Sequence, residues 1–195
     1  LKNNEIFTTK TLAKRAEPVM KDRVLAQMSG HEHKSKKKAI LKGMTGKYLE
    51  KLLPILEKRT NDIIDQFVEK KEIDIVNDFG KVFAVQSSMD LLGINVEDSE
   101  KIRKWHNGIA KFITSFNLSD DEIKYSLECS DKLEEYLIPL IKERRYSGKD
   151  DLISILNEYR DDEHEITDTE ILALTLNILL AATEPVDLSL IHIWR

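Results

Sequence analysis

The sequence predicts an all-α fold, and three observations support it. Seven glycines and four prolines in 195 residues are too few for the many tight turns of a β-rich fold. Apolar residues recur at three- and four-residue spacing along most of the chain, the period of an amphipathic helix. Two boxes, Ser119–Glu122 and Thr167–Glu170, place a hydroxyl three residues before a glutamate, the signature of a helix N-terminus. A hydrophobic content of 41% with 33% charge describes one globular domain with a sizeable core.

Up to about Gln27 the chain is irregular. Ile6-Phe7-Thr8-Thr9 suggests a short extended piece, and Ala16-Glu17-Pro18 a long loop with one or two helical turns. A basic helix follows from about Glu32 to Met44, stopped near Gly43 and Gly46. Leu49, Leu52, Leu53, Leu56, Ile63, Ile64 and Phe67 define the next, with Pro54 bending it or marking its first turn. Val76, Phe79, Phe83 and Leu91 make another, ended at Gly93. Ile102, Trp105, Ile109, Phe112 and Ile113 mark the fourth, with Trp105 and Phe112 toward the core. The Ser119 box opens a long helix through Ile141. A short helix from Leu152 to Tyr159 and a charged loop from Arg160 to Glu165 complete the run to the Thr167 box. About seven helices are expected.

The last of them is the most informative. Leu172 to Leu180 is apolar nearly all round, which belongs in a core. Thr175 and Asn177 interrupt it too soon for a membrane span. It runs into Ala181-Ala182-Thr183-Glu184-Pro185, where small residues admit something flat and the proline removes a backbone N–H. That is the pattern of a ligand groove. The second informative stretch is Gly30-His31-Glu32-His33-Lys34-Ser35-Lys36-Lys37-Lys38. His33 and Lys37 stand four apart, so on a helix they project together and suit a carboxylate or phosphate. A solvated basic face has the same sequence pattern. His31-Glu32-His33 lacks the four-residue histidine spacing of zinc helices, and His164 lies in a loop that reads as solvated.

A net charge of −5 gives no overall electrostatic case for nucleic acid. The lone Cys129 excludes an internal disulfide and fits a reducing cytoplasm, the expected location. Mid-helix among Leu127, Ser130 and Leu133, it reads as a structural thiol.

The His33/Lys37 turn and the Ala181–Pro185 segment together resemble the N-terminal half of a bacterial cytochrome P-450, a haem-thiolate monooxygenase. Leu91-Leu92-Gly93-Ile94, Asp151-Leu152-Ile153-Ser154 and Ile166-Thr167-Asp168 also match runs of that family. The resemblance implies a mainly helical fold cut after its oxygen-activating helix, and haem b as cofactor. His33 and Lys37 would hold its propionates, with lysine where the family carries arginine, and Ala181 and Ala182 would border it. Glu184 and Thr183 would handle protons, with Pro185 replacing the family's threonine. Met20, Val24 and Asn177 would touch a small apolar substrate. Electrons would come from a ferredoxin or flavodoxin, with no nucleic-acid or membrane partner. The segments Ile6–Lys10, Arg15–Met20, Val24–Met28 and Ala181–Pro185 are closer still to family members that oxidise the cyclic dipeptide cyclo-dileucine to pulcherriminic acid. Another small apolar substrate is the alternative.

These 195 residues hold no Phe-x-x-Gly-x-x-x-Cys haem-ligand loop, so the chain supplies no axial cysteine and is expected to be inactive by itself. The resemblance covers residues 1–187. Residues 188–195 do not resemble the family and read as a foreign or out-of-frame tail. The rival class, an all-α ligand-responsive transcriptional regulator, needs a helix-turn-helix within about the first thirty residues, which the sequence does not supply.

Overall fold

The computed structural model describes residues 8–70, 72–161 and 165–193; for 184–188 and 190–193 it describes the backbone alone. Among the described residues the chain is all-α and holds eight α-helices: α1 (Lys10–Met20), α2 (Gly30–Gly43), α3 (Lys47–Asp65), α4 (Lys81–Leu92), α5 (Ser99–Thr114), α6 (Asp120–Arg144), α7 (Leu152–Glu158) and α8 (Asp168–Ile193). Three-residue 3-10 turns at Leu25–Gln27 and Val96–Asp98 join them. Among the described residues the one ladder contact is an isolated bridge between Arg160 and Glu165.

Both capping boxes form. Ser119 N–H donates to Glu122 Oε2 at 2.8 Å, and Glu122 N–H returns to Ser119 Oγ at 3.3 Å. Thr167 and Glu170 make the same exchange at 2.8 and 3.3 Å. Each pair satisfies donors that a helix start leaves open.

Three expectations need correction. The predicted N-terminal loop is an 11-residue helix, α1, because Ala16, Val19 and Met20 on one side of it are buried against the core. Its Pro18 sits in the last turn, where only one ladder bond is lost. The predicted single helix from Val76 to Leu91 is divided into a π-helical turn, Ile75–Gly80, and α4. Asp74 starts the π turn by accepting from the Val76 and Asn77 N–H groups at 3.0 Å. The break that a proline at position 185 would put in the last helix does not end it, since the backbone of α8 runs on to Ile193. Pro54 lies inside α3, beyond its first turn. The predicted extended piece at Ile6-Phe7 falls outside the described residues.

α8 is the centre of the packing. Helices α1, α4, α5, α6 and α7 all touch it, and Ile171 to Leu176 are buried without exception. Trp105 and Phe112 pack partly buried against the same cluster. α3 stands apart from this arrangement. It leans on α4 through Ile63 and the Arg59–Asp90 pair, while Leu49, Leu53, Ile55 and Ile64 stay exposed.

One buried polar knot fixes the turn after α4. Gly93 ends α4 in the left-handed conformation at φ +74°, its carbonyl accepts from Arg144 at 2.9 Å, and Arg144 pairs with Asp151 at 2.9 Å. Asp151 in turn caps α7 through the Ser154 N–H at 2.8 Å. A Cβ on Gly93 would meet the Asp151 carboxyl at 2.4 Å, so alanine there adds displacement of a buried ion pair to left-handed strain. Gly148, at φ +61°, has open space where its Cβ would be. Gly148→Ala is expected to cost about 1 kcal/mol and Gly93→Ala about 3 kcal/mol or more. Urea unfolding of the two variants measures the difference, and equal losses would contradict the knot.

Candidate functional site on the open stripe of α8 and on helix α2

α8 leaves little of itself uncovered. From Ile171 to Thr183 only Asn177, Leu180, Ala181 and Ala182 are less than buried, and Ala181 alone is exposed. Asn177, Leu180 and Ala181 fall within about 100° of one another on the helical wheel, so they form one stripe. Ala181 presents only a methyl group there, which lets a flat molecule lie close to the helix. Thr183 points elsewhere. The helical repeat turns it about 160° from Ala181, it is 7% exposed, and its hydroxyl donates to the Leu179 carbonyl at 2.8 Å. It closes the end of a cavity of about 140 Å³ between α4, α5 and α8 that Lys81, Arg103, His106 and Asn107 also line. The side chains of Glu184 and Pro185 lie outside the described residues, as does His164.

Met20 and Val24, predicted to touch substrate, are at 1% and 3% exposure within the apolar cluster that also holds Leu172 and Leu176. Asn177 is the one polar group of the three, and the only one of them on the stripe. Its side chain makes no hydrogen bond among the described residues.

On α2 the buried face consists of Lys36, Ala39, Ile40 and Gly43. His33 is half-buried and Lys37 exposed, and neither side chain has a hydrogen-bond or ion-pair partner among the described residues. On the helical repeat His33 lies about 20° from buried Ile40, at the edge of the packed face, and Lys37 about 40° further round toward water, so an anionic ligand would reach the pair from that edge. Nothing joins them directly to the α8 stripe. The link between the two helices is a residue that sequence reasoning passed over. Lys36, 7% exposed, donates to Glu32 at 3.1 Å and to Glu170 at 2.5 Å, and Arg23 also pairs with Glu32. The Glu32–Lys36 spacing of four was the available signal; the third member, Glu170, is distant in sequence.

Glu170 therefore both caps α8 and ties it to α2. Burial pushes its carboxyl upward, but hydrogen bonds from Lys36 and Thr167 outweigh that and hold it below the usual glutamate range. Glu122, held by Lys111 first and Ser119 second, lies lower, at about 2.

These side chains fit one part of a haem site. Unpartnered His33 and Lys37 suit two carboxylates, and Ala181 suits a flat ring. Cys129 cannot be the sulfur ligand. It is buried between α5 and α6, with its sulfur 2.6 Å from where a Cβ on Gly108 would lie.

A family model described as cytochrome P-450 matches residues 2–191. Pulcherriminic acid synthase of Bacillus subtilis (strain 168) is 47% identical over 190 residues, which cover 97% of this chain and 47% of that protein. Mycinamicin IV hydroxylase/epoxidase of Micromonospora griseorubida is 26% identical over 171 residues, 87% of this chain and 42% of its own length. The crystal structure of CalO2 superposes with a TM-score of 0.83 at 14% identity, covering 95% of this chain and 48% of that one. The chain spans less than half the length of each.

The Glu170 tie has a direct pH signature. Its pKa is depressed on folding, so its contribution is complete above the unfolded value of about 4.5 and is lost as pH falls through the lower folded value. Glu170→Gln should cost about 2 kcal/mol near neutral pH and less as pH drops below about 4.5. Urea unfolding across pH 3 to 7 reads this out; a cost independent of pH would show that the ion pair does not contribute.

Proposed function

This chain belongs to the cytochrome P-450 family, and on that basis we propose that it is the N-terminal half of a haem-thiolate oxidase acting on a cyclic dipeptide such as cyclo-dileucine. The 47% identity to pulcherriminic acid synthase across nearly the whole chain is the observation that supports this reading.

When bound, haem supplies oxygen activation, with its electronics set by a cysteine thiolate; the thiolate would come from outside these residues. His33 and Lys37 hold the propionates, the lysine as a point charge rather than a fork. Ala181 and Ala182 keep the floor of the groove shallow. Glu184 moves protons, whereas Thr183, expected to share that role, faces the separate cavity beside α5 with its hydroxyl donated to the Leu179 carbonyl. Met20 and Val24 form the apolar backing of the substrate space, and Asn177 its polar point.

An acidic electron donor, a ferredoxin or flavodoxin, fits the exposed lysines of α2. Lys34, Lys37, Lys38 and Lys42 all face water, and a cluster of one sign steers an oppositely charged partner. Among the described residues no helix is long and apolar enough to cross a membrane.

The test joins this chain to the part of pulcherriminic acid synthase that lies beyond the match. The chimera should take up haem, show the carbon-monoxide band of a thiolate-bound haem, and convert cyclo-dileucine in the presence of a reduced ferredoxin. A haem-loaded chimera that leaves cyclo-dileucine unbound and unchanged would refute the substrate. Lys37→Ala should weaken haem retention about tenfold. Lys38→Ala, turned about 100° from it, should leave retention near the parent value. Equal haem loss would remove the propionate assignment.

A further inference from the structure

Asn177 is out of place for packing alone. It lies between Leu176 and Ile178 in the most apolar helix of the chain, it is a weaker helix former than leucine or alanine, and its carboxamide makes no hydrogen bond among the described residues. The next polar side chain along α8, Thr183, donates to the Leu179 carbonyl. Asn177 does not. It stands half-buried on the open stripe, one helical turn and about 6 Å along the axis from Ala181, between apolar neighbours that offer it nothing.

The geometry points to a ligand that satisfies both halves of a carboxamide at once. The outer edge of an asparagine side chain presents a carbonyl acceptor and an N–H donor side by side. Ordinary peptide bonds are trans and place their N–H and C=O on opposite sides, so a linear peptide meets that edge with one group only. In a six-membered cyclic dipeptide the ring forces both amides cis, and each offers N–H and C=O on the same edge.

We propose that Asn177 is the specificity-determining residue for the substrate. Its N–H donates to a ring carbonyl, and its Oδ1 accepts from the N–H of the same cis amide. Leu180 and Ala181, on the same stripe, leave room for the flat ring beside it. The pairing selects cyclic over linear dipeptides and fixes which ring amide faces α8. This inference rests on the cyclic-dipeptide reading above.

The experiment is calorimetric binding to the haem-loaded chimera, with cyclo-dileucine, its N,N′-dimethyl derivative and linear dileucine amide as probes. Cyclo-dileucine should bind at least about tenfold more tightly than either of the others. Asn177→Leu should remove that preference by weakening cyclo-dileucine alone, with haem content unchanged. Asn177→Asp, which keeps the acceptor and loses the donor, should fall between. Tight binding of cyclo-dileucine that survives Asn177→Leu, or equal binding of the dimethyl ring, overturns the assignment while leaving the substrate reading intact. A chimera that holds haem but binds no cyclic dipeptide overturns both.

Discussion

The burial of α8 is the constraint from which the rest of the structure follows. Its first turns, Ile171 to Leu176, are covered on every side, and each large apolar side chain so buried contributes about 2 kcal/mol. A helix of that character must be surrounded: α1, α4, α5, α6 and α7 pack against it, and α2 reaches it through an ion pair. What is left open is therefore informative. Asn177, Leu180 and Ala181 lie along a single strip, and that strip is where the chain has surface to offer a ligand.

Polar ties fix how the surrounding helices sit on this axis. Lys36 and Glu170 bind α2 to the first turn of α8. Arg145 pairs with Asp168 to hold the end of α6 at the same turn, and Asn157 of α7 donates to the Ile141 carbonyl of α6 at 2.8 Å. Arg144, Asp151 and Gly93 join α6, the start of α7 and the end of α4. Buried pairs of this kind give modest net stability, because desolvation offsets much of their attraction. Their geometric demands are strict, so they set register between helices whose apolar contacts alone would allow sliding. The site inherits its shape from that register: α2 turns Lys36 inward, which sets His33 at the edge of the packed face and Lys37 in water.

The two capping boxes and Gly93 were legible in the sequence because each is a local device, complete within a few residues. The apolar run of α8 was legible for a related reason, since a helix hydrophobic on all faces has only one place to go. α1 was not. Its buried apolar positions, Ala16, Val19 and Met20, are few, and Pro18 among them argues for a loop until the core that covers them is known. The π turn before α4 was hidden as well, since Ile75 to Gly80 shares the apolar spacing of the helix that follows. On α2 the sequence singled out His33 and Lys37 for their shared face, and the structure leaves that face free. It did not single out Lys36, whose importance depends on a glutamate 134 residues away.

Short-range spacing and motifs read in order are enough to make the chain helical, to place most helix ends and to show which family it resembles. Only the tertiary structure decided which side of each helix faces water. That choice depends on contacts between residues far apart in the chain. It placed Met20 and Val24 in the core, Thr183 on the far side of α8 from Ala181, and Asn177 on the open strip with a carboxamide that has no partner among the described residues. A helical wheel drawn from sequence contains all these residues at the right angles, but without the neighbouring helices it has no inside.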